Sequence, residues 1–326
     1  MQFGAHIFGV GELADPKTLV EVAQLAEALG YHSIFVADHI IMPRGLESKY
    51  PYSGDGSFPY APDQNWLDPM VALGFLAGLT QTIRLGTSVT VLPMRHPIVT
   101  AKQIVSADHL SGGRVIFGVG VGWMAEEFAL LGESFHDRGR RTDEYLQLIK
   151  SLWTEDNPHF EGAYFQVSDC GFAPKSVQLP HVPIWLGGES HAALQRAARL
   201  GNGWHSAGTS LAELPEKLGV IREALDAAGC HEADFVFSTF PTDRFTVELI
   251  GQCAEHGISH MLVPVFSFDS HKIKQRLEVN IPPPYGGGFQ EPCGVGAHAH
   301  DNHGPRGWFT AAPIYRRPSG LIGARP

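Results

Sequence analysis

The segment DPKTLVEVAQLAEALGYHSIFVADH, from Asp15 to His39, holds the unit whose repetition decides the fold. Asp15 reads as a helix N-cap, with Pro16 at the first helical position. Leu19, Val22, Ala23, Ala26 and Leu29 recur at helical spacing, and Gly30 stands where helices commonly stop. Ser33 to Ala37 is then an unbroken apolar run, the pattern of a parallel strand covered on both faces.

The same cycle recurs on either side. Strands are predicted at residues 3–10, 33–37, 83–91, 115–118, 184–186, 203–205, 235–239 and 260–264. Helical patterns fall at 68–79, 97–110, 124–131, 143–153, 190–200, 210–229, 246–256 and from 269. The helix at 210 opens on Ser210 and Glu213, the spacing of a capping box. Eight strand–helix units predict an α/β fold, a (β/α)8 TIM barrel; a doubly wound sheet is the alternative that the count disfavours.

Two long connections interrupt the rhythm. Residues 40–66, after strand two, include Tyr50, Tyr52, Phe58, Tyr60 and Trp66, and follow the strand end where barrel active sites sit. Residues 155–183 lie before strand five and enter from the opposite side.

Composition narrows the function classes. The chain has 326 residues, 44% hydrophobic and 18% charged, which is globular rather than disordered. Lys plus Arg is 24 and Asp plus Glu is 34, so the net charge is 24 − 34 = −10, a poor match to nucleic acid phosphates. Cys170, Cys230, Cys253 and Cys293 form no C-x-x-C pair, which argues against a redox dithiol or zinc ribbon. The N-terminus lacks the basic-then-apolar pattern of a signal peptide, and no apolar run suits a membrane span. A cytoplasmic protein is expected. Domain 1–279 reads as the barrel. Residues 280–326, with nine of the 37 glycines and eight of the 23 prolines, read as an irregular, disordered, non-catalytic tail. Its composition is that of GC-rich DNA translated out of frame. His298, His300 and His303 in it read as an incidental cluster, so no metal is expected.

Several groups stand where chemistry is expected. Asp38-His39 follows strand two directly, an acid and an imidazole able to move a proton near neutral pH. Gly187-Gly188-Glu189-Ser190 joins strand five to a helix and suits a phosphate. Gly118-Val119-Gly120-Val121-Gly122-Trp123 follows strand four with spacing unlike a dinucleotide fingerprint; its glycines suit close approach of a flat ring. Arg95 can pair with an anion.

Together these segments, with Trp66-Leu67-Asp68-Pro69, Ile83 to Val89, Leu110 to Arg114 and Arg141 to Tyr145, resemble the bacterial luciferase-like monooxygenase superfamily. The similarity runs from Met1 to about Arg276 and is strongest to the branch of oxidoreductases that use coenzyme F-420, a deazaflavin. The resemblance implies a TIM barrel, often dimeric, acting on a small molecule. It implies that Asp38 and His39 are catalytic, His39 handling a proton and Asp38 positioning it. Ser88 and Val89 would form a non-prolyl cis peptide behind the ring. Gly120, Val121 and Gly122 would line the ring and its ribityl chain, and Gly187, Gly188, Glu189 and Ser190 would hold the phosphate. Tyr52, Trp66 and Trp123 would contact the substrate. In related sugar-phosphate dehydrogenases an acid follows the strand-four glycines. Here Trp123 stands there, with Glu126 and Glu127 nearby, so a reductase or monooxygenase fits better. An FMN-dependent monooxygenase and a non-catalytic flavin-binding barrel are the rival readings.

Overall fold

Eight strands close on themselves in a computed structural model that describes residues 1–263, 265, 267 and 269–280. In chain order they are β1 (Gln2–Phe8), β2 (Ser33–Val36), β3 (Arg84–Thr87), β4 (Val115–Gly120), β5 (Ile184–Gly187), β6 (Gly203–Thr209), β7 (Val236–Pro241) and β8 (His260–Val263). Each pairs in parallel with its sequence neighbours, and β8 pairs back onto β1 through Gln2↔His260 and Ala5↔Val263. The expected (β/α)8 barrel is therefore present. The tail at 281–326, with its composition break, its histidine cluster and Cys293, lies outside the described residues.

The helices are α1 (Pro16–Ala28), α2 (Pro69–Ala77), α3 (Pro97–Ser111), α4 (Ala125–Leu130), α5 (Arg138–Thr154), α6 (His191–Leu200), α7 (Leu214–Ala227), α8 (Val247–Glu255) and α9 (Ser270–Val279). Their starts follow local chemistry. Asp15 accepts from Thr18 N, Asp68 from Met70 N and Val71 N, and Ser190 from Ala193 N. The expected capping box at Ser210 is only half made. Glu213 accepts from Ser210 N, but the Ser210 hydroxyl donates to Glu213 instead of capping, and the helix starts one turn later.

The third strand differs from a single run over 83–91. It stops at Thr87, passes through a cis peptide between Ser88 and Val89, and resumes as Thr90–Val91 beside β4. Phe35, Ile116, Trp185 and Leu262 pack together inside the barrel. The larger apolar layer, including Ile34, Phe117, Trp153 and Trp204, lies between strands and helices.

The two insertions are anchored differently. Residues 40–66 return to the barrel through an antiparallel bridge of Trp66 to Val10 and a bond from Gly11 N to Asn65 O at 3.0 Å. Residues 155–183 contain the hairpin Phe160–Glu161 with Gln166–Val167, held where Glu144 of α5 accepts from Ala163 N, Tyr164 N and Phe165 N. Among the described residues, no helix is long and apolar enough to cross a membrane.

Candidate active site

A cavity of about 510 Å³ opens at the C-terminal ends of the strands. That is within the ~300–1,000 Å³ usual for small-molecule sites. Nearly every strand contributes to it, from His6 and Phe8 on β1 to Leu262 on β8. The first insertion adds Tyr50, Tyr52, Phe58, Pro59, Tyr60 and Trp66; the second adds no residue.

Of the residues singled out from the sequence, Asp38, His39, Ser88, Val89, Gly120, Val121, Gly122, Trp123, Tyr52, Trp66, Gly187 and Gly188 all line this one cavity. Glu189 and Ser190 do not. The Ser190 hydroxyl caps α6, and Glu189 pairs with Lys217 at 2.9 Å while accepting from Thr209 Oγ1 at 2.5 Å.

His39 and Asp38 are adjacent in sequence but belong to separate networks. The Asp38 carboxylate is fully covered; it accepts from Arg95 Nε at 3.0 Å, Arg95 Nη2 at 2.6 Å and Val91 N at 3.0 Å. Arg95 also meets Asp68 at 2.9 Å. Burial pushes the Asp38 carboxyl above the usual carboxylate range, against the pull of Arg95 and the Val91 amide. Asp38 is thus committed to fixing the chain after β3, which corrects the expectation that it positions His39. The two neighbours thus take different partners, Arg95 for Asp38 and Glu127 for His39.

Glu127 does what was expected of Asp38. Its Oε2 lies 2.7 Å from His39 Nδ1, with the histidine side chain 11% exposed and the glutamate 1%. Its Oε1 accepts from Ile40 N at 2.7 Å and Ile41 N at 3.2 Å. A carboxylate on Nδ1 fixes the proton there and leaves Nε2 as the nitrogen open to the cavity. The neighbouring Glu126 accepts from Glu47 N and Ser48 N, so both first-turn acids of α4 pin the aromatic insertion.

The walls are aromatic. Trp66 meets His39 edge-on at 4.9 Å between centroids, Phe58 meets it at 5.2 Å, and Phe58 also touches Tyr60 and Trp123. Val89 rises between Gly120 and Gly187. A Cβ on Gly120 would strike Val89 Cγ2 at 2.5 Å, and one on Gly187 would meet Cγ1 at 3.1 Å. These glycines therefore seat the cis-peptide valine against the strands, a packing cause beside the expected approach of a ring.

Two buried imidazoles were missed by sequence reading. His6 lines the cavity, and among the described residues its buried Nε2 has no hydrogen-bond partner. Burial, then the neighbouring His205, lowers its pKa to about 3. His205 reaches Ser88 Oγ at 2.9 Å, and burial lowers its pKa to about 4. The available signal was a histidine inside each of two inward-facing strand runs. A largely apolar, aromatic cavity with a few buried polar groups among its lining suits a flat heteroaromatic ring with a polar edge.

A closed barrel with its cavity at the strand C-termini puts the carboxylate-backed His39 where barrel active sites lie. The luciferase-like monooxygenase family matches residues 1–244, and the chain belongs to that family. An uncharacterised Mycobacterium tuberculosis protein is 32% identical over 251 residues, 77% of this chain and 86% of that one. The F-420-dependent glucose-6-phosphate dehydrogenase of Amycolatopsis mediterranei is 31% identical over 219 residues, 65% of this chain and 60% of that one. The FMNH2-dependent dimethylsulfone monooxygenase of Pseudomonas putida is 35% identical over 155 residues, 47% of this chain and 42% of that one. In fold, the coenzyme F-420-dependent tetrahydromethanopterin reductase of Methanopyrus kandleri superposes with a TM-score of 0.67 at 17% identity, covering 85% of this chain and 96% of that one. The family thus has F-420- and FMN-dependent members.

Proposed function

We propose that the protein is an oxidoreductase that binds coenzyme F-420 in the 510 Å³ cavity and moves hydride between it and a small uncharged organic substrate. The observation that carries the reading is His39, backed by buried Glu127 and lining the same cavity as Ser88, Val89 and Gly120. When bound, the deazaflavin supplies the hydride at C5, and the barrel supplies binding and orientation.

The chain's own residues divide the remaining work. His39 Nε2 takes or gives the proton that accompanies hydride movement, and Glu127 stabilises the imidazolium form. Val89 and the walls of β4 and β5 hold the ring. The Gly187-Gly188 edge leads to the start of α6, where backbone N–H groups favour a phosphate. Tyr52, Trp66 and Trp123 cover the substrate and exclude water. Among the described residues the cavity lining includes no Lys or Arg, and Arg95 behind it is committed to Asp38 and Asp68. A substrate bearing its own phosphate would therefore lack a counter-charge there, which supports an apolar acceptor over a sugar phosphate.

FMN is the second reading, favoured by the identity to the dimethylsulfone monooxygenase. The F-420 relative aligns over more of this chain, 65% against 47%. The test is single-turnover oxidation of reduced F-420 and, separately, of reduced FMN, against a panel of uncharged enones, ketones and sulfur compounds. F-420 oxidation that depends on an acceptor supports the proposal. Oxygen-dependent oxidation of FMN alone would replace it with the monooxygenase reading.

A further inference from the structure

Inside the barrel runs an unbroken line of alternating histidine and serine side chains. Ser88 Oγ, on the cavity wall, lies 2.9 Å from His205 Nε2. His205 Nδ1 lies 2.8 Å from Ser238 Oγ, which lies 2.7 Å from His260 Nδ1. His260 Nε2 lies 2.8 Å from Ser33 Oγ, and that oxygen lies 3.2 Å from His32 Nδ1. The line descends through the barrel. Ser88 follows the C-terminal end of β3, His205 and Ser238 are registered neighbours on β6 and β7, His260 opens β8, and half-buried His32 precedes β2.

The surroundings are shaped around it. Phe35 stacks on His205 at 4.8 Å, and Trp185 meets His260 at 5.1 Å. At Gly4 a Cβ would lie 2.7 Å from Ser33 Oγ and 2.8 Å from His260 Nε2, inside the Ser33–His260 bond. Any side chain at position 4 would force Ser33 or His260 to shift. Simple satisfaction of one buried histidine needs only its own two partners, not a line running from one barrel face to the other.

We propose that this line is a proton path between the cavity and the N-terminal face of the barrel, joining Ser88 to His32. The assignment of its cavity end to a reacting ring rests on the cofactor reading above; the path itself does not. Each neutral imidazole and each hydroxyl has one donated proton and an acceptor site, so the line can point either way with every bond filled. With the line pointing outward, a proton arriving at Ser88 Oγ displaces the hydroxyl proton to His205 Nε2. The Nδ1 proton of His205 then moves to Ser238, the Ser238 proton to His260 Nδ1, and the His260 Nε2 proton to Ser33. The Ser33 proton passes to His32 Nδ1, and His32 releases its Nε2 proton outward. One proton enters, one leaves, every group keeps its charge, and the line ends pointing the other way. Burial keeps His205 and His260 neutral, as the relay needs. The charged or titratable groups facing it are His6 beside His205, and Arg84 beside His32 and His260. The aromatic insertion lines the cavity at the opposite, C-terminal end, so the path would be a second route for a proton.

The test begins with the full-length protein free of cofactor, by nitrogen-15 NMR of its histidine rings. A relay requires both directions to interconvert, so Nδ1 and Nε2 of His205 and His260 should each resonate between the protonated and unprotonated positions. Ser238→Ala or Ser33→Ala should freeze the rings into single tautomers. Single fixed tautomers in the wild type would overturn the path. Two cuts at different points, each checked by its unfolding midpoint, cover the case of one variant failing to fold. The second measurement follows the absorbance of bound F-420 or FMN after a pH jump. Ring protonation should slow on the order of 100-fold in the cut variants while cofactor affinity holds. Unchanged rates with intact binding would also overturn the path. Failure of either cofactor to bind would instead sink the cofactor reading, with the NMR result still deciding the relay.

Discussion

Both long insertions leave the same barrel, yet one builds the site and the other only braces a helix. Residues 40–66 leave the C-terminal end of β2, and six of their side chains line the cavity. Residues 155–183 approach the N-terminal end of β5 and put nothing into it. Each is fastened by acids on a neighbouring helix: Glu126 and Glu127 for the first, Glu144 for the second. The difference is that Glu127 also holds His39, so its carboxylate ties loop position to proton chemistry. In a barrel, the strand end from which a loop departs decides whether it can reach the reacting groups.

The sharpest way to break this contrast is at the shared carboxylate's partner. His39→Ala should lower turnover by about 10²–10⁴-fold while F-420 affinity stays within a few-fold. A loss of binding equal to the loss of turnover would make His39 a wall residue only. Next, Asp38→Asn should cost roughly 3–5 kcal/mol by denaturant unfolding, since it leaves a buried guanidinium short of a charge. An unchanged midpoint would return Asp38 to the list of free site groups.

The barrel interior beneath both loops should show in acid. His205 has a folded pKa near 4 against an unfolded value near 6.5, so the unfolded chain binds its proton first. Stability should be fully present above about pH 6.5 and fall as the pH drops towards about 4, by on the order of 3 kcal/mol from this group. Unfolding midpoints flat across that window would deny the buried neutral histidine. The smallest effect belongs to the second insertion. Glu144→Ala should cost roughly 1–2 kcal/mol and leave cofactor affinity unchanged, because the three amides it binds are near solvent. A change in affinity would join the two insertions functionally.

Much of the cavity was legible because strand ends, glycines and aromatic runs are local signals. Asp38, His39, Ser88, Val89, Gly120 and Trp66 each sit beside a strand that periodicity locates. The wiring was not legible. His39 and Glu127 are 88 residues apart, and nothing in spacing selects Glu127 over Asp38, which is adjacent. The direction in which β2 ends decides it. Likewise, the segment around His205 reads as a weak strand, and only the closed barrel shows that His205, His260 and Ser238 face one another. The interruption at Ser88 was implied by family resemblance and not by β propensity, which favours a continuous strand through Val91.

The central claim is that this cavity is a deazaflavin site, and the most direct test is equilibrium titration with F-420 and FMN. Trp66 and Trp123 both line the cavity, so quenching of tryptophan fluorescence should report occupancy. The account predicts saturable one-to-one binding of F-420, tighter than that of FMN, and its loss in Gly120→Leu, whose side chain would displace Val89. Tighter binding of FMN, or F-420 binding untouched by Gly120→Leu, would contradict it.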